Sequence, residues 1–385
     1  MRPDDMPRAA LTFLAMMSSS TIAFGSLWED QSWALLGTMS TATGYDSNLT
    51  LLHDGPGGFF LTANPYLTLK RQNSDTNISV VGGATREEFF SGGQPSETDL
   101  AVSADVAFPT GDNVIPVYKL DASWQRSSQP NDFLGERVQN DILKFTGEGI
   151  LTLTGKLGLR GDVEFDSVKF DSVALNDSLH GAAVVGVTYT PHFGTEYSLN
   201  FGSALAHSIP NDPAFTGNDV RSNEFDFTAR ARGEISDKVS GDFYAGFGAV
   251  NYSGGFTNHN DIPVAGADLT WGFDPRRTLV LAAYSGALYA PDGTAVETAH
   301  AFISYTDVII AGWQLTVRAG PTRSVFSRQV FERTDNGWDY GAELAYAPSA
   351  HFRATLDVGY ATRNDDVLLY EYTHYVVSIG ASYSF

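Results

Sequence analysis

From Ser32 to the C-terminus, apolar and polar residues alternate in runs of about ten, each closed by a cluster of Gly, Pro, Asn or Asp. A period of two is strand periodicity, with one face set for oil and the other for water. The last run is the cleanest. Tyr375, Val377, Ile379, Ala381, Tyr383 and Phe385 fall on one face, and His374, Ser378, Gly380, Ser382 and Ser384 on the other. In 224–235, Phe225, Phe227, Ala229, Ala231 and Ile235 alternate with Glu224, Asp226, Thr228, Arg230, Arg232 and Glu234. Six polar positions in succession on one face are too many for a packed core, so that face requires water.

Eighteen such runs can be placed, near 33–43, 58–71, 77–90, 98–108, 114–125, 138–152, 157–170, 178–190, 195–207, 222–235, 239–252, 263–273, 278–289, 295–305, 312–324, 337–347, 352–362 and 372–385. Alternation is weakest in the second half of the first run and in 278–289 and 295–305. The connections alternate in length: tight turns such as Ser236 to Lys238 and Asp274 to Arg277, then longer polar stretches such as Gly44 to Gly57, Arg126 to Glu136, Ser208 to Arg221, Ser253 to Ile262 and Val325 to Asp335. This predicts an all-β chain folded as a single closed antiparallel transmembrane β-barrel of about eighteen strands, with short periplasmic turns and longer extracellular loops. A soluble sandwich is the competing fold. Its strands need only about five or six residues, whereas about nine to eleven tilted residues are needed to cross a bilayer core.

Composition narrows the picture. No window approaches the roughly 18 to 20 consecutive apolar residues of a membrane-spanning helix. Cysteine is absent, which removes disulfides, thiolate metal sites, cysteine nucleophiles and an acylated lipoprotein terminus. The net charge of −21 argues against nucleic acid as a partner, since a phosphate binder needs a basic footprint. At the N-terminus, Arg8 precedes the apolar run Ala9 to Met17, and Ala23-Phe24-Gly25 supplies a small-residue cleavage pattern before Ser26. The expected organisation is therefore a cleaved signal peptide, 1–25, and an outer-membrane barrel, 26–385, exported in a Gram-negative cell. Asp4 and Asp5 are unusual for such a leader, so translation starts at either Met1 or Met6.

The ending Ser382-Tyr383-Ser384-Phe385 resembles the C-terminal assembly signal of bacterial outer-membrane barrels, with Phe385 as its terminal aromatic. The segment Gly44-Tyr45-Asp46-Ser47-Asn48-Leu49-Thr50 resembles the "YDSN" stretch of an outer-membrane β-barrel porin family associated with exopolysaccharide assembly. The resemblance implies passage of polysaccharide through the lumen. It also implies outer-membrane lipid or lipopolysaccharide, the barrel-assembly machinery and periplasmic polysaccharide-export components as partners. A general or sugar- and cation-selective diffusion porin is the alternative. A barrel lipase or protease is a third reading.

Motifs for chemistry are missing: there is no G-x-S-x-G elbow, no H-E-x-x-H, no P-loop and no G-x-G-x-x-G. No catalytic residue, metal site or cofactor is expected. What remains is the polar face, where alternation points Lys144, Glu148, Arg160, Asp162, Glu164, Asp226, Arg230, Arg232, Glu234, Asp268, Arg318, Asp339, Glu343, Arg353 and Asp357 into a lumen. Lys70, Asp105, Lys119, Asp121, Asp166 and Asp242 share that face, and acids outnumber bases. An acidic excess in a wet pore enriches cations or neutral sugars over polyanions. For any one of these residues the plainer role is pairing across strands to stiffen the wall. Arg160, Arg230, Arg232, Arg318 and Arg353 could instead form a basic track, with Tyr66, Tyr244 and Tyr252 as stacking surfaces.

Overall fold

The computed structural model describes residues 27–385 apart from 31, 73–75, 92, 109–116, 132–135, 193, 212–218, 254–258, 290–294, 328–331 and 366–370. The signal segment expected at 1–25 lies outside the described residues. In chain order the strands are β1 (Trp28–Asp30), β2 (Trp33–Asp46), β3 (Gly58–Gln72), β4 (Asn77–Phe89), β5 (Glu97–Phe108), β6 (Val117–Asn131), β7 (Glu136–Thr152), β8 (Leu157–Phe170), β9 (Asn176–His192) and β10 (Thr195–Pro210). They continue as β11 (Val220–Ser236), β12 (Val239–Ser253), β13 (His259–Asp274), β14 (Arg277–Tyr289), β15 (Ala295–Ile310), β16 (Trp313–Ser327), β17 (Glu332–Tyr346), β18 (Phe352–Asp365) and β19 (Tyr372–Ser384). Each strand from β2 to β19 pairs antiparallel with the next. The last pairs back onto β2, Ser384 opposite Thr38 through Val376 opposite Asp46, so eighteen strands close into a barrel.

The two faces of the wall are easily told apart. On β8, Leu157, Leu159, Val163 and Phe165 stand exposed, while Arg160, Asp166 and Val168 between them are buried. Side chains crowd on the concave side of a closed sheet and spread on the convex side, so the exposed apolar set faces outward to lipid. Aromatic rings gather at both ends of this outer surface: Tyr45 with Phe59 and Tyr375 on one side, and Trp313 with Tyr346 and Tyr383 with Phe385 on the other. These are the positions of two interfacial girdles.

Several strands run further than the alternation predicts, most of them on the long-loop side; β15, which reaches Ile310, and β9, which reaches His192, also lengthen at the short-turn end. The connections after β6 and β12 shrink to 132–135 and 254–258, because the strands extend into the segments expected to be loops. Beyond the bilayer both faces of a strand meet water, so side-chain alternation fades while the backbone ladder continues. The weakly alternating runs near 278–289 and 295–305 are full strands for a different reason: small Ala, Gly and Ser on both faces hide the period without weakening the hydrogen bonds.

β1 was not legible in the sequence. β2 pairs with β19 only from Thr38 onward, and β1 takes over the same edge lower down, with Trp28 opposite Leu35 and Asp30 opposite Trp33. Between them Gly37 exchanges two backbone hydrogen bonds with Phe385, at 2.8 and 2.9 Å. A Cβ on Gly37 would lie 2.4 Å from the Phe385 ring and 3.0 Å from Leu27. Overpacking a fitted contact costs about 1–3 kcal/mol. Gly37→Val should therefore lower the urea midpoint of the refolded barrel and weaken its heat-resistant compact band on gels; an unchanged midpoint would show that the seam tolerates the bulk.

Candidate functional site

The charged residues of the concave face form a lattice across β7 to β12. Lys144 of β7 reaches Glu164 of β8 at 3.3 Å. Arg160 of β8 holds Glu148 at 3.1 Å, Asp162 at 2.7 Å and Glu196 of β10 at 3.8 Å. Glu196 also receives Arg232 of β11 at 3.0 Å. Arg230 of β11 grips both carboxylate oxygens of Asp242 of β12 through its Nε and Nη2. Such forked pairs fix geometry as well as charge, because the planar guanidinium matches a carboxylate two bonds at a time.

Arg160 is the hinge point of this lattice, only 4% exposed. Its reach from β8 to β10 passes over β9, where the residues opposite Glu164, Asp162 and Arg160 are Ala182, Val184 and Gly186. Small side chains there leave a trough for the guanidinium. Gly186 itself has no room to change: a Cβ would meet the Asn200 amide oxygen at 2.2 Å and the Leu199 carbonyl at 2.9 Å.

A second group lies on β17 and β18, where Arg353 pairs with Glu343 and the latter stands opposite Asp357. Of the other expected lumen residues, Asp226 is buried opposite Gly202, Asp268 stands opposite Asp242, and Glu234 is exposed beside the turn to β12. Arg318 lies opposite Ser304 and Gly341, and Asp339 opposite Gly320. The register thus places all fifteen on the side of the sheet away from Phe165, Phe227 and Tyr340, though not as one site. Nor do the arginines make a separate basic track: Arg160, Arg230, Arg232 and Arg353 each sit against a carboxylate.

The outer mouth holds residues that sequence reasoning missed. Pairing of β6 with β5 ends at Arg126, and pairing of β7 with β8 ends at Asn140, yet β6 and β7 stay paired to Asn131 and Glu136. The end of this hairpin has left both neighbours. The Ser128 backbone N–H donates to Asp99 Oδ1 of β5 at 2.8 Å, and Arg137 reaches Glu87 of β4 at 2.5 Å, with its guanidinium 4.8 Å from the Phe89 ring centre. The register puts Asp99 and Glu87 on the concave face, so the hairpin end lies inside the wall of β4 and β5. Ser127, Ser128 and Val138 are accordingly buried. Arg333 binds Asp335 and Asp365, and Arg363 also binds Asp335, at the outer end of β17 and β18.

The Tyr45-Asp46-Ser47-Asn48 segment is explained by the first outer loop. Asp46 Oδ1 accepts from the Asn48 N–H at 2.7 Å and contacts His374 Nε2 at 2.9 Å, tying β2 to β19. Ser47 Oγ accepts from the Tyr375 N–H, Asn48 Nδ2 donates to the Leu52 carbonyl, and Leu49 is 1% exposed.

Residues 152–385 match the family described as "Outer membrane protein beta-barrel domain". No curated protein matches the chain. Among solved structures, Acinetobacter baumannii OccAB2 aligns with a TM-score of 0.51 and 10% identity, over 91% of this chain and 97% of that one. Pseudomonas aeruginosa OpdK, crystallised with vanillate, aligns at 0.48 and 9% identity, over 91% and 99%. At such identities the likeness is one of fold.

Proposed function

The chain belongs to the outer-membrane protein β-barrel domain family, and from that premise we propose that it is a passive channel for small hydrophilic solutes that favours cations and neutral molecules over polyanions. The observation that carries this reading is the concave face of the closed wall, where acidic and basic side chains form a paired lattice in place of an apolar core. Acids exceed bases along that face, as in the net charge of −21. A wall of that sign raises the local concentration of cations.

The inward hairpin end of β6 and β7 favours small solutes over a polymer, because it occupies part of the mouth that a chain would have to thread. The segment that resembles exopolysaccharide-associated porins has a complete role in holding the first outer loop, so no polymer is needed to account for it. Phe385 is bonded to Gly37 in the closed barrel, so machinery that reads the terminal strand as an assembly signal must act before the seam shuts.

Planar bilayers test the reading. Purified protein should give discrete ohmic steps, a reversal potential displaced toward the cation in a salt gradient, and no release of fatty acid from phospholipid. Silence across both polarities, or lipid hydrolysis abolished by a single substitution, would overturn it.

A further inference from the structure

We propose that the outer, lipid-facing surface of β13 to β17 carries a binding site for a phosphorylated, multiply acylated glycolipid of the lipid A class, with one acyl chain in a groove and a phosphate on Arg323. Most of the outer wall is bulky: on β8 to β11 it presents Phe165, Val185, Val187, Leu199, Phe201 and Phe227. On β13 to β16 the same face recedes. A groove of about 560 Å³ opens there, floored by Ala267, Ala283 and Ala301 and walled by Pro321 and Trp338. It continues toward the short-turn side into a wholly apolar stretch lined by Leu269, Leu281 and Ile303. An apolar trough on a lipid-facing wall is filled by hydrocarbon, because leaving it empty forfeits the contacts of its lining.

Charge selects which lipid. Arg323 forms part of the lining at the long-loop end of the groove, flanked in register by Ala299 and Asn336. It is exposed, and no carboxylate lies within ion-pair distance of it among the described residues. Arginines elsewhere on the outward face, toward the long loops of β4, β6 and β11, are matched: Arg86 with Glu88 at 2.6 Å, Arg126 with Asp141 at 2.6 Å, and Arg221 with Asp219 at 3.4 Å. A cation at the end of an apolar trough, on the lipid side and toward the cell exterior, meets the headgroups of the outer leaflet. There the guanidinium fork fits a phosphate, and Ser285, Asn336 and Asn364, which share its row, offer hydrogen bonds to the sugar.

Native mass spectrometry of the detergent-solubilised full barrel with added diphosphoryl lipid A is the test, with phosphatidylglycerol and inorganic phosphate as competitors. Arg323→Ala removes the cation, and Ala301→Phe fills the groove. Each should weaken lipid A retention by about five- to tenfold. Both variants should keep the heat-resistant folded band and wild-type conductance, because neither residue faces the lumen. Equal retention by wild type and both variants would overturn the proposal, as would displacement of lipid A by either competitor at comparable concentration. Those outcomes leave the channel reading untouched, which is decided by conductance and phospholipid turnover.

Discussion

Arg160→Ala is expected to destabilise the folded barrel by about 3–5 kcal/mol, the usual cost of removing one member of a buried charge network. Arg160 is 4% exposed and holds Glu148, Asp162 and Glu196, so alanine would leave three carboxylates facing one another in a crowded wall. Urea titration in lipid vesicles, followed by tryptophan fluorescence, should show the midpoint fall. A cycle with Glu196→Gln identifies the cause. Since Glu196 loses one of its two arginine partners and keeps Arg232, the double variant should be more stable than the sum of the two losses predicts. The same substitution removes a positive charge from the lumen, so the surviving folded channels should be more cation-selective than wild type. A midpoint shift below about 1 kcal/mol would place Arg160 in open water and dissolve the lattice as a structural unit.

The sequence makes the membrane-embedded part of this molecule legible because lipid imposes a period on it. The predicted run 157–170 coincides with β8, and 239–252 is within one residue of β12, since outward apolar and inward polar positions alternate through both. The facing of Arg160, Arg230 and Glu343 follows from the same parity. What parity cannot show is partnership across strands that are not neighbours. Glu196, the carboxylate that joins Arg160 to Arg232, sits one residue into β10; it shares parity with Ser198 and Asn200, yet the expected lumen residues do not include it. Nothing local tied it to Arg160, 36 residues earlier, because the link depends on Gly186 and Ala182 leaving a trough on the strand between. Arg137 was hidden for the opposite reason. By parity with Leu143 and Phe145 it belongs to the outward face, and it turns inward only because the hairpin has left its neighbours. β1 shows the same limit, since its three residues are too few to carry a period and are placed by the edge that β19 leaves unpaired.

Release of the β6–β7 hairpin should produce the largest change in conductance available to a single substitution. Among the described residues, Arg137 on Glu87 and the Phe89 ring, and the Ser128 N–H on Asp99, fix its end to the inner wall. The Arg137 side chain is 8% exposed and also donates to the Ser128 carbonyl at 2.8 Å, so alanine there removes the ion pair and an internal brace of the hairpin together. Losing about 1–2 kcal/mol of latch energy shifts the ratio of docked to released hairpin roughly 5- to 30-fold. Single-channel records of Arg137→Ala should show a larger unitary conductance and frequent transitions between levels, while the Arg160 lattice and the folded band persist. Because the chain has no cysteine, the paired substitutions Asp99→Cys and Ser128→Cys provide the reciprocal control. Oxidised, that variant should hold the wild-type level with fewer transitions; reduced, having lost the Asp99 acceptor, it should behave like Arg137→Ala. Identical records from wild type, Arg137→Ala and both redox states would mean that the hairpin does not stand in the path of the ions.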